Sequence, residues 1–216
     1  MSSITEFSTE GRRRTRIQVE NETRILAAAL EAFSTQGYRG ATVDAIAEAA
    51  GMSKTNLLYY FRSKDALYRA VLNHTLDNWL EPLRDMRADG DPVQEIASYI
   101  RRKLDMSRSD PAASRLFANE MLQGAPHIQP VLAGPLRELV AEKSAVIRGW
   151  IAAGKLAPVE PEHLIFAIWA TTQHYADFGV QVAAVLGRQE TDRQTFLEAE
   201  QTLARLLLDG LRPRRK

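Results

Sequence analysis

Residues 42–64 constrain the fold of this chain more than any other stretch, because they predict two short helices joined by a tight turn. In the first helix, Val43 and Ile46 begin an apolar stripe at helical spacing, which predicts one buried face. Thr42 is placed to cap this helix, since its hydroxyl accepts hydrogen bonds from the first turn. Gly51 follows the helix, where a left-handed residue is needed and only glycine adopts that conformation freely.

The second short helix has polar side chains at its beginning. Ser53 is its expected cap, and Lys54, Thr55 and Asn56 are its first residues. Two helices crossed through a glycine turn are typical of a DNA-binding helix-turn-helix, whose second helix presents its first residues to base edges. Lys suits guanine edges and Asn suits adenine edges. Packing of two helices in an ordinary all-α protein is the alternative, but a third helix predicted over residues 25–36 favours a DNA-binding unit.

Charge limits how such a unit could bind DNA. The chain has 216 residues and a net charge of +1, so binding must depend on a local basic surface. Residues 1–18 lack periodicity and contain four arginines between Gly11 and Arg16. They predict a solvated, disordered tail in the free protein, or an arm that contacts phosphates or the minor groove of bound DNA. The two interpretations are compatible.

Several classes of function are disfavoured by what the sequence lacks. The chain has no cysteine, which excludes disulfides and thiolate chemistry and suits a reducing cytoplasm. No apolar run approaches the roughly 18–20 residues of a membrane span. The four histidines have no metal-ligand spacing, and residues 149–156 resemble a phosphate-binding loop but have Leu156 in place of the required hydroxyl. We therefore expect a cytoplasmic protein without enzyme activity, cofactor or metal site, associated with the nucleoid when bound to DNA.

Apolar spacing and capping residues predict an all-α fold of about nine helices. The predicted helices are residues 19–37, 42–50, 54–60, 64–86, 92–108, 111–124, 136–153, 161–186 and 192–209. The expected domains are a flexible basic arm (1–18), a helix-turn-helix domain (19–63) and an effector-binding and dimerisation domain (64–212). The helix over residues 64–86 would touch DNA near Lys64 and carry Trp79 far from it. Such a helix can convert distant ligand binding into a rotation of the DNA-binding unit.

Residues 166–178 are the best candidate for one wall of a ligand pocket. Phe166, Trp169, Gln173 and Asp177 recur at three- or four-residue spacing and therefore share a helix face. An aromatic wall with a few polar groups is typical of small-molecule sites, and an unpaired buried Gln costs roughly 1–3 kcal/mol. A ligand amide or imide would supply the missing partner. The alternative is a core helix whose polar groups bond locally, or which packs on a partner.

The sequence also resembles a known family. The run from Ile25 to Tyr68 resembles the N-terminal domain of the TetR family of bacterial repressors, through Phe33, Gly37, Thr42, Ile46, Ala47, Ala50, Gly51, Ser53, Leu57, residues 59–61, Ser63 and Lys64. Beyond it, the chain resembles the branch of this family that regulates pyrimidine utilisation, through residues 54–61, 79–80, 115–117, Trp150, 154–158, 163–166 and 173–178. Nearly the whole chain from about Ile25 onward carries the resemblance, and the first twenty residues do not.

The resemblance implies a homodimeric repressor that is released from a palindromic operator by uracil or thymine. Residues 161–186 and 192–209 would pair with those of a second subunit in a four-helix bundle, setting two DNA-binding units about one DNA turn apart, roughly 34–36 Å. Base contacts would come from Lys54, Thr55 and Asn56. The implied phosphate contacts are Thr42, Tyr59 and Lys64, and Ser53 completes the DNA-binding set.

For the effector, the implied residues are Trp79, Phe117, Trp169, Gln173 and Tyr175. Asn119 stands where the resemblance implies an apolar residue, so ligand preference would differ if Asn119 faces the pocket. Two alternatives remain open. The effector could be another planar heterocycle or an aromatic drug, or the chain could be a helical ligand-carrying or docking module that does not bind DNA.

Overall fold

All regular secondary structure in residues 16–213, which the computed structural model describes, is helical. This confirms the all-α prediction. Most of the predicted basic arm (residues 1–18) lies outside the described residues. Within the described range, no helix is both long and apolar enough to cross a membrane.

The first three helices form a unit that we call the head: α1 (Arg16–Gly40), α2 (Val43–Ala49) and α3 (Lys54–Tyr60). Thr42 caps α2 by accepting a hydrogen bond from the Ala45 amide at 3.2 Å, and Ser53 caps α3 through the Asn56 amide at 3.2 Å. The turn between these helices passes through Gly51 at a φ of +68°. A side chain would be strained at that angle, so the glycine allows the tight crossing that the sequence predicted.

The remaining helices form a unit that we call the body. It consists of α4 (Lys64–Arg84), α5 (Pro92–Ser109), α6 (Pro111–Leu122), α7 (Gln129–Val131), a π-helical turn (Leu132–Leu136), α8 (Arg137–Ala152), α9 (Pro161–Asp177), α10 (Gly179–Val185) and α11 (Arg193–Leu211). Ser63, Asp91, Asp110 and Asp192 cap α4, α5, α6 and α11 through their side chains. Pro92 and Pro111 occupy first turns, where the missing N–H costs nothing.

One predicted helix is wrong, and one predicted loop contains more helical turns than expected. The single helix predicted over residues 161–186 breaks at Phe178, whose backbone (φ −115°, ψ 29°) is not helical, so α9 and α10 are separate. Gly179 follows directly, and a glycine weakens helix continuation at this point. Residues 124–135, whose Gly and Pro predict a loop with a short turn, contain the three-residue α7 and most of the π-helical turn, which leads directly into α8.

Two clusters of buried side chains hold the molecule together, and the head shares its cluster with the body. Phe33 and Leu57 of the head pack in one cluster with Leu67 and Leu72 of α4 and with Leu116 of α6. The second cluster lies within the body, where α5 packs against both α9 and α11. Because α1 also packs on α6, the head contacts the body through two helices, α4 and α6.

Candidate DNA-binding surface and effector cavity

Helix α3, the predicted recognition helix, is anchored by one fully buried side chain and exposes the side chains of its first turn. Leu57 is 0% exposed, whereas Lys54, Thr55 and Asn56 are all exposed at the first turn. Tyr59 is 73% exposed and contacts Tyr60 edge to face, with ring centroids 5.5 Å apart. The structure therefore brings the predicted base-contacting residues together on one open surface.

Lys54 is held by a neighbour when DNA is absent. Its Nζ lies 2.9 Å from a carboxylate oxygen of Asp44, and both side chains are more than half exposed. Exposed ion pairs contribute roughly 0–1 kcal/mol, so this one is easily exchanged for another partner. Lys54 can therefore turn from Asp44 to a base edge at little cost.

Lys64 lies at the first turn of α4, beside the end of α1. Its Nζ donates to the Arg39 carbonyl at 3.3 Å and lies 4.9 Å from the centre of the Tyr38 ring. An ammonium group has three donors, so Lys64 retains capacity to bind a phosphate. Thr42 is also exposed, but its hydroxyl oxygen already accepts the capping hydrogen bond.

Two exposed arginines near these residues were missed by the sequence reasoning. Arg62 lies two residues beyond the end of α3, and Arg39 is in the last turn of α1 beside Lys64. Between Arg16 and Ser63 the sequence has five Lys or Arg and five Asp or Glu, so composition gave no sign of a basic surface. The useful signal is position, because Arg39 and Arg62 flank the stretch that contains both short helices.

Two neighbouring cavities lie in the body. The inner cavity, of about 50 Å³, is lined by Leu76, Trp79, Leu80, Lys103, Phe117, Leu136, Trp169 and Gln173. The outer cavity, of about 640 Å³, is lined by Arg115, Phe117, Ala118, Asn119, Met121, Leu122, Leu132, Leu136, Trp169, Gln173, Asp177 and Phe178. Ligand sites generally occupy about 300–1,000 Å³, so the inner cavity alone is too small for one. Because four residues line both, a ligand could occupy the outer cavity and reach into the inner one.

Aromatic side chains form the walls of the inner cavity. The ring centroids of Trp79 and Phe117 are 5.7 Å apart, so α4 and α6 meet there. Trp169 reaches the cavity from α9, and its indole N–H donates to the Tyr99 hydroxyl of α5. Since this donor is already used, Trp169 can offer a ligand its ring face but not its N–H group.

Of the other predicted effector residues, Gln173 lies at the cavities and Tyr175 does not. Gln173 lines both cavities, is partly buried, and has no hydrogen bond from its side chain to another described residue. Tyr175 packs against Phe196 of α11, with ring centroids 5.9 Å apart, and lines neither cavity. Asn119 faces the outer cavity, which answers the question left by the sequence.

Two ionisable side chains, Lys103 and Asp177, also line these cavities. Lys103 of α5 is 3% exposed, and its Nζ lies 4.4 Å from the centre of the Trp79 ring. Burial lowers the pKa of Lys103 to about 8, and the charge of Asp177 opposes that shift. Asp177 accepts a hydrogen bond from the Ser114 hydroxyl, while burial raises its pKa more than Ser114 and Arg115 lower it.

Sequence reasoning missed Lys103, although a signal was present. The buried residues of α5 recur at helical spacing and include Lys103 within the stripe: Ile96, Tyr99, Ile100, Lys103, Leu104 and Ser107. A charged residue inside an apolar stripe is unusual, because burying an ammonium group is costly. Within residues 16–213, no group of three His, Asp or Glu side chains is arranged to hold a metal ion.

A buried polar cluster ties the head end of α4 to α6. The Tyr68 hydroxyl donates to Glu120 at 3.2 Å, and the His127 amide donates to the other Glu120 oxygen at 2.7 Å. Glu120 is 1% exposed and lies one turn beyond Phe117, which lines both cavities. Because α1 packs on both α4 and α6, each of these helices touches the cavities at one place and the head at another.

A helix-turn-helix head joined to a helical body is the architecture of a bacterial DNA-binding regulator. Residues 25–71 match the family described as "Bacterial regulatory proteins, tetR family", and residues 72–214 match "YcdC-like protein, C-terminal region". The chain belongs to the TetR family. It is therefore a DNA-binding transcriptional regulator, as the sequence predicted.

Individual proteins of known sequence or structure are also similar to this chain. The chain is 54% identical to the HTH-type transcriptional regulator RutR of Escherichia coli K12 over 190 residues. This alignment covers 88% of this chain and 90% of that protein. Among solved structures, SCO4942 of Streptomyces coelicolor aligns with a TM-score of 0.67 and 28% identity, covering 90% of this chain and 99% of that one. AibR, solved with isovaleryl coenzyme A and operator DNA, aligns with a TM-score of 0.67 at 17% identity over 86% of this chain and 97% of that one, which shows the shared fold alone.

Proposed function

We propose that this protein is a homodimeric repressor of pyrimidine-utilisation genes, and that uracil or thymine releases it from a palindromic operator. One observation carries the proposal: the cavity that includes Trp79, Trp169 and Gln173 lies on α4, the helix that begins at the head. The 54% identity to RutR supports the same regulatory role. A repressor of this kind acts in the cytoplasm, on the nucleoid.

On the DNA side, α3 would lie in the major groove. Lys54, Thr55 and Asn56 are exposed at its first turn, where a recognition helix contacts base edges. Thr42, Tyr59 and Lys64 would contact phosphates around the groove, joined by Arg62. Such contacts position the head on the duplex, whereas the base contacts determine which sequence it prefers.

A dimer would follow from the apolar surface of the last helices. Large apolar side chains are exposed there: Phe166, Phe178, Val180, Val185, Leu186, Leu197 and Leu206. An exposed apolar patch of this kind is typical of a protein interface. A second copy covering α9, α10 and α11 would produce the four-helix bundle expected from the sequence, and two heads for the two halves of a palindrome.

On the effector side, a flat ring fits the walls that the cavities offer. The Lys103 ammonium occupies one face of the Trp79 ring, which leaves Trp169 as the main wall for stacking. The unpaired Gln173 amide offers one donor and one acceptor to the edge of the ring. A pyrimidine dione has a carbonyl next to an N–H, so it can satisfy both.

The effect of ligand binding would reach the head through α4 and α6. A ligand against Trp79 and Phe117 changes the packing of α4 and α6. Both helices also pack on α1 of the head, and in α4 the Tyr68 ring lies 4.9 Å from the Phe33 ring. To shift the population from mostly DNA-binding to mostly released, the ligand must favour the released state by about 5 kcal/mol. A well-packed interior has discrete arrangements, so a small change at the cavity can move the heads as units.

Operator binding tests the proposal. Fluorescence anisotropy with a labelled palindromic fragment from a pyrimidine-utilisation promoter should show tight, salt-dependent binding. Uracil and thymine should release the fragment, and an unrelated aromatic drug should not. Binding without salt dependence or sequence preference would favour the alternative of a docking module that does not recognise an operator.

A matched variant separates loss of ligand binding from loss of DNA binding. Gln173→Leu removes the polar partner in the cavity, so the variant should hold the operator normally but resist release by uracil. A thermal-shift panel with purines, cytosine and aromatic drugs tests the effector itself. A melting temperature that rises only with ligands other than pyrimidines would overturn the pyrimidine assignment.

A further inference from the structure

We propose that Lys103 selects the effector by donating a hydrogen bond to a ring carbonyl, so that the cavity accepts neutral cyclic amides and imides and rejects rings without a carbonyl. The inference rests on the proposed function, because it names the ligand chemistry of the same site. Lys103 is not among the residues that sequence reasoning assigned to the effector.

The first support is the position of Lys103. Its side chain comes from the buried face of α5, one turn after Tyr99, and lines the inner cavity together with Trp79 and Gln173. Among the described residues, Lys103 has no ion pair and no hydrogen bond from its side chain. Its Nζ lies instead over the ring of Trp79, 4.4 Å from the ring centre.

The second support is the free energy that such a group stores. A buried ammonium group loses its hydration, and a cation–π contact replaces only part of it. The lowered pKa of about 8 reports this loss, yet it leaves Lys103 protonated at neutral pH. A ligand oxygen placed near Nζ would therefore supply a hydrogen bond that no described side chain supplies.

The third support is the negative charge of Asp177, which lies near Lys103. The Asp177 carboxylate lines the outer cavity and acts on Lys103 through its charge, although the two groups do not form an ion pair. An anionic ligand would gain from Lys103 but would be repelled by Asp177. A neutral ring avoids this conflict if its carbonyl faces Lys103 and its N–H faces the Gln173 and Asp177 side.

Size agrees with this orientation. The inner cavity holds about 50 Å³, which is enough for a carbonyl group and one edge of a ring. The rest of the ring would lie against Trp169 at the boundary with the outer cavity, which holds about 640 Å³. The geometry thus places the acceptor at the deep end and any substituent at the open end.

The test is isothermal titration calorimetry at pH 7 on the wild-type protein and two variants. Lys103→Met keeps a long, unbranched, apolar stem, so the cavity stays filled but loses its donor. Lys143→Met is the matched control, because Lys143 is also buried but donates to the Met86 carbonyl outside both cavities. The ligands are uracil, thymine, 2-pyridone and glutarimide, the carbonyl-free rings pyrimidine and pyridine, and the anion orotate.

The expected result is that the wild type binds carbonyl rings and neither pyrimidine nor pyridine, with orotate at least tenfold weaker than uracil. Lys103→Met should weaken carbonyl ligands at least tenfold, equivalent to about 1.4 kcal/mol. Lys143→Met should leave these affinities unchanged even if it lowers the melting temperature. Any carbonyl ligand that binds Lys103→Met as tightly as the wild type overturns the inference.

The outcomes separate this inference from the proposed function. If uracil and thymine fail but 2-pyridone or glutarimide binds through Lys103, the pyrimidine effector is wrong and the inference stands. If uracil binds equally to the wild type and to Lys103→Met, uracil remains the proposed effector and the inference about Lys103 is wrong. If no carbonyl ring in the panel binds the wild type, both are wrong.

Discussion

The head and the body cavities place their polar groups in opposite surroundings. In the head, Lys54 and Asn56 lie in water on a helix held by Leu57, so their exposure costs little when DNA is absent. At the cavities, Lys103 and Gln173 are buried or partly buried without hydrogen-bond partners among the described residues. Exposed polar groups therefore lower the stability of the head very little, whereas the polar groups at the cavities reduce the stability of the body unless a bound ligand pairs with them.

The largest expected effect is on folding stability, through Leu57, the buried residue that holds α3 in the head. Leu57→Ala should lower the free energy of unfolding by about 2–5 kcal/mol, because it opens a cavity in a fully buried site. Operator binding should fall with it. Chemical denaturation followed by circular dichroism measures the change. Leu122→Ala, at a side chain that is 84% exposed, is the control and should change stability by no more than about 0.5 kcal/mol.

Burying the protonated Lys103 side chain should make the free energy of unfolding depend on pH. Between pH 8 and 10.5 the unfolded chain keeps the Lys103 proton that the folded protein has released, so wild-type stability should rise with pH across this window. Lys103→Met lacks this group. Its stability advantage over the wild type should be greatest below pH 8 and shrink by about 3 kcal/mol towards pH 10.5.

Urea unfolding of both proteins at pH 7 and pH 10 provides the measurement. Taking the difference between the two proteins removes the contributions of other titrating groups that they share. A difference that is the same at both pH values would show that burial does not penalise the charged form of Lys103.

Base recognition should have an intermediate effect. Lys54→Ala and Asn56→Ala should each weaken specific operator binding by about 1–3 kcal/mol, since each removes contacts to base edges. Folding stability should be nearly unchanged, because both side chains are exposed. Anisotropy titrations at fixed salt compare them with Lys155→Ala, an exposed site in the body. Unchanged sequence preference in both head variants would show that α3 does not contact bases.

The smallest effect concerns the ion pair between Lys54 and Asp44. Asp44→Ala should cost less than about 1 kcal/mol of stability, as expected for an exposed pair. The same change frees Lys54 and removes a negative charge near the DNA, so operator affinity should increase slightly. Weaker operator binding by this variant would mean that Asp44 positions Lys54 for its base contact.

Sequence patterns were sufficient for the head because its signals are local. Thr42, Gly51 and Ser53 each determine a cap or a turn within a few residues, and the structure has them in those roles. Helix starts at Pro92 and Pro111 were predictable for the same reason. The break at Phe178 was missed because the apolar pattern continues across Gly179, although that glycine was the available warning.

The cavities were only partly predictable because they are assembled from distant segments. Periodicity placed Trp169 and Gln173 on one face, but it could not show that Tyr175 packs on α11 instead. Nor could it show that Lys103 of α5 lies beside Trp79 of α4, since that contact depends on how two helices cross. Local spacing predicts which residues share a face and does not predict what that face meets.

The proposed release mechanism requires that ligand in the cavities changes the distance between the two heads of a dimer. The chain has no cysteine, so Glu48→Cys on α2 allows one spin label per head, and Glu142→Cys labels the body as a control. Pulsed electron resonance should give a head-to-head distance that shifts when uracil is added, while the body-to-body distance stays constant. Identical head-to-head distances with and without saturating uracil, in a protein that uracil removes from its operator, would contradict the account.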